Sequence, residues 1–324
     1  MTRFAPRFLN ISLSLALAFG ALSATAPANA AAPQVKTQAP GFYRMMLGDF
    51  EITALNDGTV DLPMDKLLAG GKKGEVVKAF DKVYLKAPIE TSVNAYLVNT
   101  GAKLVLIDTG AAGLFGPTLG KLLANLKAAG YTPEQVDEIY ITHLHPDHVG
   151  GLLADGKIAF PNAIVRMDKH DADYWLSAEN LDKAPADGKG FFQGAQASVK
   201  PYADAGRIKT FDGPTELVPG IRAVATPGHT PGHSFYAVES KGQKLMIWGD
   251  VMHAAAVQFP DPSITIAFDT DAKLAGPVRK KAFADAAKAG YWVAIAHVAF
   301  PGIGHLRAEG KGYQWVPVNY SSKP

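Results

Sequence analysis

The stretch ITHLHPDHVGG, Ile141 to Gly151, sets three histidines and an aspartate within six residues. The run Glu138–Thr142 before it is rich in β-formers, so the cluster begins where a strand ends. His143 and His145 are two apart. Alternate residues of an extended segment point the same way, so both can reach one ion. Pro146 then bends the chain, and Asp147 and His148 turn toward a different point, which leaves room for a second ion. Imidazole nitrogen and carboxylate oxygen suit zinc-like ions at roughly 2.0–2.2 Å. Gly150 and Gly151 let the backbone pass close to the cluster. A lone histidine is more often a surface or hydrogen-bonded core residue, and His170 is read that way. Four metal-capable side chains in six residues have no comparable structural explanation.

Two ions need further donors. His229 stands in TPGHTPGHS (Thr226–Ser234) after the apolar run Ile221–Ala225, Asp250 ends KLMIWGD, and His297 ends YWVAIA. Each is weak alone, since an aspartate after a strand is often a helix cap, but all three share the strand-end position of the first cluster. The two halves of the chain also echo each other. KLVLIDTG is matched by KLMIWGD, and LANLKAAGY followed by EIYITH is matched by ADAAKAGYWVAIAH. This implies two related α/β halves that meet at their strand ends, where ligands of α/β folds collect.

Other segments carry local signals. Leu119, Leu122, Leu123 and Leu126 follow helical spacing, with Gly130 as the stop. The Asn-Asp-Gly of FEITALNDGTVDL (Phe50–Leu62) predicts a hairpin. The Gly/Pro/Ala-rich SAENLDKAPADGKGFFQGAQAS (Ser177–Ser198) reads as a surface loop, or as a lid or pocket wall that uses the Phe191-Phe192 pair.

The chain has 324 residues, 48% hydrophobic and 19% charged, a globular composition. Residues 1–30 read as a secretory leader. Arg3 and Arg7 precede the apolar run Ile11–Leu22, and Ala28-Asn29-Ala30 offers a cleavage site. The run is too short to span a bilayer. Residues 31–324 then form one domain. Removing the leader takes away two basic and no acidic residues, so the formal charge of +2 falls to 0. A neutral chain has no electrostatic reason to seek nucleic acid or an anionic membrane. Cysteine is absent, so an exported chain relies on its core and bound metal for stability. The expected location is the periplasm.

THLHPDHVGG, together with LIDTG, PGHTPGH, GD and AH in that order, resembles the metallo-β-lactamase superfamily. GDFEITALNDGTV, NTGAKLVLIDTGAAGLFGPTLG and FPGIGHLRAEGKGY are similar to its secreted organophosphorus-hydrolase branch. The resemblance implies an αβ/βα sandwich of two mixed sheets flanked by helices, two divalent ions of zinc type, and a homodimer. It assigns His143, His145 and His229 to one ion and Asp147, His148 and His297 to the other. Asp250 would bridge them with a hydroxide, and Asp108 would orient a ligand histidine. It places Phe115, Trp175 and Phe191 at the pocket mouth. His253, in GDVMHAAA, departs from the apolar residue expected there, and His233 is read as a structural hydrogen-bonding residue.

The reaction expected from this set is hydrolysis of a small neutral aryl phosphotriester. Two divalent ions against Asp147, Asp250 and hydroxide leave about one positive charge by formal count, suited to an oxyanionic transition state. An aromatic pocket without cations favours a neutral substrate. The alternatives are a lactonase or arylesterase on the same centre, an iron-dependent oxidoreductase of the same fold, and a metal-storage protein. A β-lactamase is disfavoured, because that branch does not use a bridging aspartate.

Overall fold

Ile89–Asn99 shows why two sheets stack. Ala95 and Leu97 point to one side and Tyr96 and Val98 to the other, and all four are buried. A strand apolar on both faces needs cover on both. The computed structural model describes residues 1–2, 32–72 and 74–323. The leader assigned to residues 1–30 falls almost wholly outside them, and the account below concerns Ala39 onward.

The first sheet runs β1 (Phe42–Leu47), β2 (Phe50–Leu62), β3 (Ile89–Asn99), β4 (Leu104–Ile107), β5 (Glu138–Tyr140), β6 (Ile164–Asp168) and β7 (Ile208–Phe211), in spatial as well as chain order. Its first three pairings are antiparallel and its last three parallel. The second sheet runs β8 (Thr215–Val218), β9 (Ile221–Ala225), β10 (Ser234–Ser240), β11 (Gln243–Ile247), β12 (Trp292–Ala294), β13 (Ile303–Glu309) and β14 (Gly312–Pro317), again in order. Only β11 and β12 pair in parallel. Both sheets are therefore mixed.

Three apolar clusters stack these layers. Ile52, Tyr96, Val105 and Ile107 meet Ile221, Tyr236, Leu245 and Ile247 between the sheets. Helices α1 (Leu122–Ala128), α2 (Lys169–Trp175) and α3 (Lys189–Asp204) cover the outer face of the first sheet, for instance with Leu126, Trp175 and Val199. Helix α4 (Ala272–Ala289) covers the second with Ala282, Phe283 and Ala286. The order is helix, sheet, sheet, helix. Among the described residues no helix is long and apolar enough to cross a membrane.

Two local expectations are corrected. Phe50–Leu62 is one strand, not a hairpin. Its Asn-Asp-Gly makes a bulge, because Asn56 pairs with Asn94 and Gly58 with Val93 while Asp57 is the extra residue. Partners on both sides hold the strand extended, and the bulge turns the Asp57 carboxylate to accept N–H groups from Ala111 (2.9 Å) and Leu122 (3.1 Å). Ser177–Ser198 is helical, not a loop. Ser177 accepts an N–H bond from Asn180 at the start of the helix Ala178–Lys183. Phe192, Ala195, Val199 and Tyr202 give α3 a buried stripe at helical spacing.

The strand ends of both sheets meet at one edge. The Tyr96 hydroxyl donates to the Ile295 carbonyl (2.8 Å) and Asn94 to that of Val298 (2.8 Å), which ties the loop after β12 to β3. The Ser234 N–H donates to the Thr142 carbonyl (2.9 Å), which ties β10 to the loop after β5. Gly150 and Gly151 serve a different approach from the one read in the sequence. A Cβ on Gly151 would sit 1.9 Å from the Thr109 carbonyl oxygen, and one on Gly150 would sit 2.3 Å from that of Ala111. The glycines let the histidine segment lie on the loop after β4.

Candidate metal centre

Each donor leaves a short loop at a strand end. His143 and His145 follow β5, and Asp147 and His148 sit in the one-turn helix Pro146–Val149. His229 lies between β9 and β10, Asp250 after β11, and His297 after β12. The structure gathers all seven. His143, His145, His229 and Asp250 present donor atoms within 4.8 Å of one another, as do Asp147, His148, Asp250 and His297. Asp250 is common to both groups.

The spacing fits ions. His145 Nδ1 lies 3.1 Å from His229 Nε2, and Asp250 Oδ2 lies 3.4 Å from His229 Nε2 and 3.5 Å from His143 Nε2. In the other group, Asp250 Oδ1 is 3.2 Å from both His148 Nε2 and His297 Nε2, and Asp147 Oδ2 is 3.3 Å from His297 Nε2. Four donors at about 2.1 Å from a tetrahedral ion stand about 3.4 Å apart. His143 Nε2, His148 Nε2 and Asp250 Oδ1 are also fully buried without a hydrogen-bond partner. Buried polar atoms are normally satisfied, and two cations would satisfy these, one at His143 Nε2 and one at His148 Nε2 and Asp250 Oδ1.

Neighbouring groups aim the imidazoles. Asp108 accepts from Thr142 N (2.8 Å), Thr142 Oγ1 (2.8 Å) and His148 Nδ1 (2.8 Å). It does so from a left-handed backbone conformation, φ 60°, which aspartate tolerates better than most residues. Asp269 Oδ1 stands 2.8 Å from His229 Nδ1, and the Ser92 carbonyl stands 2.9 Å from His297 Nδ1. Each contact holds a proton on Nδ1 and aims Nε2 at the site. His233 accepts the Asp250 N–H on Nε2 (3.0 Å) and meets Thr226 Oγ1 on Nδ1 (2.9 Å), a structural bond at the back of the site.

Charge follows the same pattern. Burial pushes His143 and His145 well below the ordinary histidine range, so both are neutral donors. Burial also opposes charge on His148, His229 and His297. The adjoining carboxylates overcome it, with Asp250 foremost, and raise all three, His297 to about 10. Burial alone would raise Asp147 and Asp250, but the surrounding histidines hold both below the usual carboxylate range. Burial lowers His253 to about 4 and His233 to about 3. Burial also pushes the Asp171 carboxyl up to about 6, despite the neighbouring Thr230 hydroxyl and N–H donors from Gly232 and Leu144.

A cavity of about 260 Å³ opens on Asp147, Asp250 and His297. Phe115, Phe191 and His253 line it, together with Val60, Leu62, Val93, Leu119 and Phe268, which no sequence signal singled out. Trp175 is corrected. It is 5% exposed and lies behind the site, with its ring 5.0 Å from that of His145 and 4.6 Å from that of Phe192. Helix α2 turns it inward to the core. His253 Nε2 stands 3.1 Å from Asp250 Oδ2. Asp269, and Arg279 beside it, were also missed. Arg279 is fully buried, its guanidinium 3.5 Å from Asp269 Oδ2. No local motif marks either residue.

Comparison with known proteins agrees with this geometry. The family model described as the metallo-beta-lactamase superfamily matches residues 88–297. An N-acyl homoserine lactonase of Bacillus thuringiensis is 30% identical over 172 residues, 47% of this chain and 60% of its own length. The chain thus spans about 60% of the length of that curated relative. Among solved structures, AbOPH, a hydrolase of the beta lactamase superfamily, is 41% identical with a TM-score of 0.84, covering 88% of this chain and 100% of that one. AidC, a dizinc quorum-quenching lactonase solved with its product N-hexanoyl-L-homoserine, is 28% identical with a TM-score of 0.79, covering 87% and 99%.

Proposed function

The chain belongs to the metallo-β-lactamase superfamily, and from that premise we propose a dinuclear metal-dependent hydrolase of small neutral esters, with lactones as the preferred class. One observation carries the substrate class. The cavity beside Asp147, Asp250 and His297 is apolar, and among the described residues no lysine or arginine lines it. Beyond the ions themselves, an anionic diester would find no basic side chain there to hold its charge. The acyl chain of a neutral ester packs against Val60, Leu62, Phe115, Phe191 and Phe268.

Two divalent ions, one held by His143, His145 and His229 and one by Asp147, His148 and His297 with Asp250 shared, would lower the pKa of water and polarise the ester carbonyl. The protein supplies the rest. Asp108, Asp269 and the Ser92 carbonyl hold the imidazoles in register. The phenylalanines exclude water, which strengthens the charge interactions inside. His253 Nε2, carrying its proton, donates to Asp250 Oδ2 and fixes that carboxylate. Asp147, with a side chain 19% exposed, faces the cavity as an ionised carboxylate held by His148 and His297. We assign zinc, because the nitrogen and oxygen donors suit it and AidC is a dizinc protein.

Lactones stand ahead of phosphotriesters because two of the similar proteins are lactonases. The second reading is an aryl phosphotriesterase, supported by the likeness of the Gly48–Val60, Asn99–Gly120 and Phe300–Tyr313 stretches to methyl parathion hydrolase. A phenolate leaves without protonation, so the same cavity serves it. On metal-replete protein, kcat/KM for an N-acyl lactone is expected to exceed that for an aryl phosphotriester by at least about tenfold, a difference of about 1.4 kcal/mol in transition-state binding. An inverted ratio would put the phosphotriester first. Turnover of neither would remove the hydrolase reading, and one iron per chain in place of two ions would return an oxidoreductase. The proposal keeps residues 1–30 as an export leader. N-terminal sequencing of exported protein should begin at Ala31, and a retained Met1 would overturn that assignment.

A further inference from the structure

The two chain segments that supply the first ion's histidines are far apart in sequence, and one carboxylate touches both. Asp171, on α2, is 1% exposed. Its Oδ2 accepts the Leu144 N–H at 2.8 Å, between His143 and His145. Its Oδ1 accepts the Gly232 N–H at 2.7 Å, three residues beyond His229. The fit on the second side is close. A Cβ on Gly232 would stand 2.4 Å from the Asp171 backbone nitrogen and 2.9 Å from its Cβ. Among the described residues no lysine or arginine forms an ion pair with Asp171. A buried carboxylate tied to backbone N–H groups, with no cation beside it, carries a desolvation cost that an apolar residue would avoid. Its two bonds fall where they set the distance between His145 and His229, whose donor nitrogens stand 3.1 Å apart. The second group is built differently. His148 and His297 are oriented through Asp108 and the Ser92 carbonyl, neither of which involves Asp171.

From this geometry we infer that Asp171 is a positioning residue. It clips the Leu144 segment to the Gly232 segment, so that His143, His145 and His229 form one preassembled site for the first ion. The inference rests on the two-ion reading above.

Asp171→Asn separates a specific role from a general one. The amide keeps one acceptor and turns an N–H₂ donor against one of the two backbone donors, so one tie is lost in nearly the same volume. Each ion is read alone, by zinc competition with a chromophoric chelator on the full chain. His297→Ala leaves the first site intact, and His229→Ala leaves the second. In the His297→Ala background, Asp171→Asn is expected to weaken zinc binding by about tenfold or more, the scale of groups that orient ligands. In the His229→Ala background the change should stay under about threefold. Val98→Ala, a core truncation remote from the site, serves as the control for lost stability, with melting temperature read on all variants. Equal weakening of both sites, equal weakening by Val98→Ala, or unchanged binding at the first site would each overturn the clip. If the parent protein itself took up no second ion, the two-ion reading would fail instead, and the two failures are distinguishable.

Discussion

Asp250→Ala is expected to lose one of two bound ions and to lower kcat/KM by at least about 10³-fold, while the fold persists. The size follows from its place. Asp250 Oδ1 stands 3.2 Å from both His148 and His297, and Oδ2 stands 3.4 Å from His229. Among the described residues no other carboxylate belongs to both donor groups. Its removal takes a negative ligand from each ion and the fixed spacing between them. Loss of one preorganised electrostatic group at a reacting centre is already worth about 10²–10³ in kcat, and here both ions are affected. The backbone around it stays anchored, because the bond from its N–H to His233 does not use the carboxylate. Metal quantification, lactone kinetics and far-UV circular dichroism on one preparation check this. Full turnover by the variant would remove Asp250 as the shared ligand.

Asp108→Asn should be nearly as damaging, although Asp108 stands outside the donor groups. The carboxylate accepts from His148 Nδ1 and from both donors of Thr142. Asparagine can still accept the Thr142 N–H, but its NH₂ then faces His148 Nδ1. That nitrogen must become an acceptor, which moves the imidazole proton to Nε2, the atom aimed at Asp250. A protonated Nε2 cannot ligate. The second ion is expected to bind about 100-fold more weakly, at the upper end of what a ligand-orienting group contributes. The first ion should be weakened less, through the Thr142 hydroxyl that stands 3.1 Å from His143 Nδ1. Chelator competition in the His229→Ala and His297→Ala backgrounds reads the two ions apart. Equal affinity for the second ion with and without the Asp108→Asn substitution would show that the tautomer is set by something else.

The misreadings of the sequence have a common cause. Asn56-Asp57-Gly58 has the local chemistry of a turn, yet pairing with β3 on both sides of Asp57 holds it in a strand, so it becomes a bulge. Ser177–Ser198 has a loop's composition, but its apolar residues recur at helical spacing, a signal that was present and outweighed by the glycines. Trp175 and Phe191 both read as pocket residues. Helix α2 sends the first behind His145, while α3 leaves the second facing the cavity. Phe268 lines the same cavity without any motif around it.

The candidate donors were legible in the sequence, four from local spacing and three from strand ends together with the family resemblance. His143, His145, Asp147 and His148 are neighbours in the chain, and strand ends mark the places of His229, Asp250 and His297. A short segment's alternation and a proline bend are local physics, and local physics is written in local sequence. The family resemblance pointed to Asp250 as shared and to Asp108 as an orienting group, but which aromatic rings bound the cavity and which further groups aim the imidazoles were decided by the tertiary structure. Asp269 reaches His229 across 40 residues, Asp171 reaches Gly232 across 61, and Asp250 meets His148 only because two sheets stack. Ångström-scale distances between remote segments depend on how layers pack, and no spacing along the chain encodes them.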